Sequence, residues 1–319
     1  MNNSDSKNSR LAKIAFLYYE KGMNQQEIAK ATGVTRTLIS RLLSEAKERN
    51  IVSFHIKYPW RSVILEEKLK YVTGLKEVLV VADSDAPSDG GEYEMGLLAA
   101  AYFDSHVQNG DVIGISWGTT LHHMVTHLDP RHLSKSKVVQ LIGASGTETR
   151  PLDGPMLARI LSEKIGAEFY PLHAPLIVEN AIVRDSLMHD RTIKSTLTVA
   201  GRANIAWVGI GSPTQRGYSM LREGYLSEQD ISYLVEKGAV GDVCAQLFDI
   251  QGNYMEELDL NRRTIGIDLT NLRNVETVVG VAGGKAKREA VLGAVRGKHI
   301  TVLITDSVVA EYILKHYQM

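Results

Sequence analysis

Residues 24–50, NQQEIAKATGVTRTLISRLLSEAKERN, read as two helices joined by a tight turn. Asn24 is placed to cap the first helix, with Gln25, Gln26 and Glu27 in its first turn and Ile28 and Ala29 as its apolar residues. Gly33, inside Thr32-Gly33-Val34, can take the positive φ that a sharp corner needs. Thr35 can cap the second helix. There Leu38, Ile39, Leu42, Leu43 and Ala46 form an apolar stripe at helical spacing. Arg36, Thr37, Ser40, Arg41 and Ser44 share another face, which carries no acid. Such a face suits a major groove, where arginine reads guanine edges and hydroxyls reach phosphates or bases. An ordinary surface helix pair has the same spacing, so the charge distribution has to weigh between the two.

Outward from this stretch, residues 10–21 predict a preceding helix, with Leu11, Ile14, Ala15, Leu17 and Tyr18 as its apolar positions and Gly22 beyond its end. Residues 1–9 are polar and read as disordered. Residues 51–57 are β-prone and fit the wing of a winged helix. Residues 1–60 hold ten Lys/Arg against five Asp/Glu, while residues 61–319 hold 26 against 32. A basic head on an acidic body fits nucleic-acid contact through the head alone. Cys244 is the single cysteine, which excludes an intrachain disulfide and a cysteine-rich metal site. The polar first residues lack the apolar core of a signal peptide, and no apolar run reaches transmembrane length, so a cytoplasmic location is expected.

The rest of the chain alternates strands and helices. After a helix at 63–71 come apolar strands near 78–81, 111–115, 137–142, 205–211, 275–281 and 300–305, with helices predicted at 92–107, 157–165, 184–198, 226–237 and 287–296. This is the pattern of an open α/β sheet, in which ligands sit outside the carboxyl ends of the strands. Three loops draw the eye. Gly118-Thr119-Thr120 follows a buried strand and opens a helix, offering N–H groups and hydroxyls to an anion, although an ordinary turn fits as well. Asp242 is a lone acid between glycine and valine, either a ligand acceptor or the cap of a helix starting there. Gly283-Gly284-Lys285-Ala286-Lys287 puts a cation at a positive helix end, a conflict that a bound anion would remove. Spacing leaves Lys285 and Lys287 equivalent. His122, His123 and His127 have no carboxylate among them and read as surface histidines rather than a zinc site.

The sequence resembles the SorC family of bacterial transcription regulators. The likeness runs from about Leu11 to the C-terminus, through LYYEKGMNQQEIAKATGVTRTLISRLL, GISWGTTL, WVGIG, EKGAVGDV, VAGGKAK and LITDSVVAEYIL. It implies a winged helix-turn-helix over residues 1–57, a linker helix over 58–73, and an effector domain over 74–319. That domain would be similar in fold to ribose-5-phosphate isomerase and glucosamine-6-phosphate deaminase. The implied partners are operator DNA with palindromic or repeated sites, a small sugar, polyol or sugar-phosphate effector, and further copies of the chain in a dimer or tetramer. No cofactor, metal or catalytic residue is implied. Gln25, Gln26, Thr35, Arg36, Thr37, Ser40 and Arg41 would meet DNA. Gly118, Thr119, Thr120, Gly211, Ser212, Asp242 and Lys287 would meet the effector, with Lys287 matching the family's phosphate contact better than Lys285. Trp117 sets a bulky ring beside this cradle and leaves room for an unphosphorylated sugar alcohol. The alternative is a sugar-phosphate isomerase or deaminase with a fused helical head. That reading needs a placed general base, and none stands apart from caps and surface acids.

Overall fold

The computed structural model describes residues 3–49, 51–52, 61–82, 91–145 and 153–317. The chain divides into two compact units, Met1–Pro59 and Trp60–Met319.

In the first unit an α-helix spans Asn3–Ala15 and continues as a π-helical turn, Phe16–Glu20. Helical structure therefore begins inside the segment expected to be disordered. Part of the reason lies at the far end of the unit, where Lys7 pairs with Glu45 at 2.7 Å and Glu45 also holds Arg49 at 2.8 Å. Helices Gln25–Thr32 and Arg36–Glu48 follow, with Gly33 between them at φ 71°. Asn24 accepts from the backbone N–H groups of Gln26 and Glu27, and Glu27 accepts from the N–H of Asn24, a reciprocal capping box. Leu11, Ile14, Ile28, Ile39, Leu42, Leu43 and Ala46 form the core. Leu38 does not join it and is 37% exposed. At 3.6 residues per turn it lies about 90° from the centre of the stripe, too far round to be covered. The expected wing falls outside the described residues except for Ile51 and Val52, which pack on this core.

The second unit is a doubly covered parallel sheet. Its strands among the described residues are β1 (Glu77–Val81), β2 (Val112–Ile115), β3 (Lys137–Gln140), β4 (Glu168–Tyr170), β5 (Ile205–Gly211), β6 (Gly241–Val243), β7 (Gln246–Phe248), β8 (Thr277–Val281) and β9 (Val302–Asp306). The order is β1-β9-β8-β5-β2-β3-β4, every neighbouring pair parallel. Both faces are buried: Val78, Val80, Ala206, Val208, Val278 and Leu303 point to one core, and Leu79, Ile113, Ile115, Trp207, Val279 and Ile304 to the other. Burial on both faces explains why these strands read as unbroken apolar runs instead of alternating ones. From β2 the chain winds through β3 to β4, then returns to place β5 on the other side of β2. The switch point therefore lies between the ends of β2 and β5.

The expected linker helix, Val63–Thr73, packs on β1 and on the C-terminal helix Ser307–His316. Its Glu66 is buried, accepts from Arg61 Nε and one terminal guanidinium nitrogen, each at 2.8 Å, and accepts from the Val80 N–H. The helix expected over 184–198 is two, Ala181–Met188 and Arg191–Ala200, because Asp190 turns outward to cap the second. No helix starts at Asp242, contrary to the capping alternative. Gly241–Val243 is a strand, paired antiparallel with the end of β5 and with β7. No helix among the described residues is long and apolar enough to cross a membrane.

Candidate functional site

A cleft opens at the switch point, lined by Glu92, Trp117, Gly118, Thr119, Thr120, Gly211, Tyr218, Arg222, Asp242 and Lys287, together with Gln215 and Ser219. Six of the seven expected effector residues meet in it. The exception is Ser212, whose buried hydroxyl is engaged with Thr214 Oγ1 at 3.0 Å and the Val240 carbonyl at 3.3 Å. Lys285 is exposed and does not line the cleft, whereas Lys287 does.

Each wall follows from local sequence. At the end of β2, Ser116 is held by β5, donating its N–H to the Trp207 carbonyl and accepting from the Gly209 N–H. Gly118 then takes φ 127° and ψ 162°, open in practice only to glycine, and turns the chain into helix Thr119–His127. Gly118 has no side chain to cap this helix, and Gly118, Thr119 and Thr120 line the cleft at the positive end of the helix. Across from it, Gly211 lies in register with Asp242. A Cβ at 211 would come within 2.1 Å of Asp242 Oδ1, so this close approach demands glycine.

Asp242 is fixed by a hairpin whose turn is Cys244-Ala245, both at positive φ (52° and 62°). That two-residue turn returns the Ala245 N–H to Asp242 Oδ2 at 3.1 Å, while Tyr218 donates its hydroxyl to Oδ1 at 2.8 Å. Burial pushes the Asp242 carboxyl up to about 6, against the pull of Tyr218, Ala245 and the nearby Lys287 charge. Burial, and then the neighbouring carboxylate, push the Tyr218 hydroxyl up as well, so it stays a donor. Lys287 ends a short 3-10 turn after Gly284 and leads into helix Arg288–Arg296. Its ammonium lies 3.6 Å from Glu92 Oε1. Arg222 is turned to Glu223 at 3.0 Å.

The arrangement gathers an uncapped helix start, a cation and a buried carboxylate in one cleft. It can hold a molecule with an anionic end and several hydroxyls. Sequence reading missed Glu92, Gln215, Tyr218, Ser219 and Arg222. The last four come from residues 213–224, where the signal is a pair of glycines, Gly217 and Gly224, both at φ 78°. His123 and His127 lie away from the cleft, edge-on to Tyr93 at 5.5 and 5.0 Å between ring centres.

In the first unit Arg36, Thr37, Leu38, Ser40, Arg41 and Ser44 are all exposed along helix Arg36–Glu48, as are Gln26 and Thr35. Gln25 is half-buried at the start of the preceding helix.

The chain is similar to known proteins over most of its length. The family model Sugar-bind, described as "Putative sugar-binding domain", matches residues 59–315. The chain is 32% identical over 308 residues to the sorbitol operon regulator of Klebsiella pneumoniae, covering 96% of this chain and 97% of that protein. It is 34% identical over 298 residues to the deoxyribonucleoside regulator of Bacillus subtilis, covering 92% and 93%. The crystal structure of the full-length sorbitol operon regulator SorC from Klebsiella pneumoniae superposes with a TM-score of 0.80 at 31% identity, over 96% of this chain and 98% of that one. These relatives are regulators, and the isomerase or deaminase alternative gives way. The chain belongs to the SorC family of transcriptional regulators.

Proposed function

We propose that this regulator controls a carbohydrate or polyol catabolic operon, and that a small sugar, polyol or sugar phosphate bound in the switch-point cleft sets its grip on operator DNA. The observation that carries the reading is the pairing of Lys287 and the uncapped Gly118-Thr119 helix start with the buried acceptor Asp242 in one cleft. The donors suit a phosphate, and Asp242 suits sugar hydroxyls. Ser212 takes no direct part, its hydroxyl being held by Thr214 and the Val240 carbonyl. On the DNA side, Arg36, Thr37, Ser40 and Arg41 face the major groove, with Gln25, Gln26 and Thr35 near the backbone. A single short recognition helix reads few base pairs, so the functional form is a symmetric oligomer on palindromic or repeated sites. Light scattering at the 35.2 kDa monomer mass, with and without operator, would refute that part.

Calorimetry on wild type and Lys287→Ala, against paired sugars and sugar phosphates, tests the cleft. Lys287→Ala should weaken phosphorylated ligands by about tenfold or more through loss of a charge-assisted contact, and neutral ones far less. Effector affinity must also differ between DNA-bound and free protein, because a ligand that binds both states equally shifts nothing. Tight phosphate-ester binding that survives both Lys287→Ala and Thr119→Ala would put the site elsewhere.

A further inference from the structure

The charges that line the cleft are already answered from within the protein. Arg222 is paired with Glu223, and Asp242 accepts from Tyr218 and Ala245. Lys287, the cation best placed to meet an anion, stands 3.6 Å from the Glu92 carboxylate, with side chains only 12% and 19% exposed. Both residues line the cleft, and Glu92 opens helix Glu92–His106, so its backbone is anchored at a helix start. An anion arriving at Lys287 therefore finds a carboxylate in its place.

We propose that Glu92 is a specificity-determining residue of this cleft, an internal anion that holds Lys287 until an anionic effector displaces it. The inference rests on the reading of the cleft given above. A phosphate reaching Lys287 brings its charge beside that of Glu92, in a site where water and salt screen little. Binding then requires Glu92 to leave the ammonium. The phosphate compensates with a larger charge and more acceptor oxygens, and with the N–H groups at the Gly118 helix start, which Glu92 does not use. A neutral polyol needs no such exchange. Its hydroxyls donate to Glu92 and Asp242 while the ion pair stays closed. Glu92 thus sets the ratio of affinities for phosphorylated and unphosphorylated ligands, by penalising one and rewarding the other.

The test uses the full-length protein with inorganic phosphate as the probe, titrated calorimetrically into wild type, Glu92→Gln, Thr119→Ala and the Glu92→Gln/Thr119→Ala double variant. Glutamine keeps the shape of the side chain and removes its charge. Phosphate should bind Glu92→Gln about tenfold or more tightly than wild type, and adding Thr119→Ala should reverse most of the gain. A Glu92→Gln protein that binds phosphate no better than wild type overturns the proposal. If Thr119→Ala alone weakens phosphate in that case, the cleft reading survives without the gate. If phosphate binding ignores Thr119→Ala in both backgrounds, the cleft reading itself has failed.

Discussion

At the start of helix Arg36–Glu48, the Thr35 hydroxyl accepts from the Leu38 N–H at 3.3 Å and closes the helix end. At the start of helix Thr119–His127, the residue in the same place is Gly118, and no side chain does this. The difference extends across the molecule. Asn24, Asp153, Asn180, Asp190, Ser227, Asp268 and Asp306 all cap their own helices. Around the cleft, Gly118, Tyr218 and Lys287, which precede helices Thr119–His127, Ser219–Arg222 and Arg288–Arg296, make no side-chain cap. Ser62 and Leu258 also lack caps, away from the cleft. A capped start is satisfied and serves to fold the chain. An uncapped start in a cleft keeps its donors for something that arrives later.

The carboxylates divide along the same line, and this gives the largest expected effect. Asp190 accepts backbone N–H bonds at a helix start and is held below the ordinary range. Asp242 is pushed up to about 6 from 3.8, chiefly by burial. Because the folded pKa is the higher one, the folded protein binds this proton more tightly than the unfolded chain does. Its contribution to stability is then fully present below about pH 4 and is lost as pH rises to about 6, by roughly 3 kcal/mol in all. Asp242→Asn should remove that downward slope between pH 4 and 6. Urea midpoints across the range would measure it, and parallel profiles for wild type and variant would mean that the burial of Asp242 carries no such cost.

A smaller effect is expected in the head. Arg36→Ala or Arg41→Ala should relax sequence choice by about 1–3 kcal/mol if the lost contact is a bidentate pair to guanine. Gel shifts on operator and scrambled duplex give the comparison, and unchanged affinity for both duplexes would remove these residues from the groove.

How far the sequence could be read follows from the range of the forces involved. The helix-turn-helix was legible because its signals are local: a capping box, a glycine at φ 71° and an apolar period. The parallel strands were legible because burial on both faces leaves continuous apolar runs. Leu38 misled because it lies at the edge of the stripe, where only the packing of neighbouring helices decides burial. The capping alternative at Asp242 failed for a different reason. The hairpin there turns on Cys244-Ala245, two left-handed residues with none of the asparagine or glycine that announces such a turn. That conformation costs free energy locally and is held by the surrounding fold, as backbones beside binding sites often are. Glu92 was invisible because its partner lies nearly two hundred residues away in sequence, and no local pattern records an ion pair across a cleft.

The smallest effect tests the comparison most directly, because it asks the same substitution to do different things in two places. Thr35→Ala removes a cap. It should cost the head about 1 kcal/mol, and because Thr35 lies among the proposed DNA contacts it should weaken operator binding as well. Thr119→Ala removes no cap, since the helix has none, and should change stability by less than about 0.5 kcal/mol. Its cost should appear in effector affinity instead, because a hydroxyl at an open helix start is lost to the ligand and not to the fold. Denaturant melts of both variants, with effector titrations on each, separate the two outcomes. If Thr119→Ala destabilises the protein as much as Thr35→Ala does, the hydroxyl is structural, and the distinction between finished and waiting helix starts falls with it.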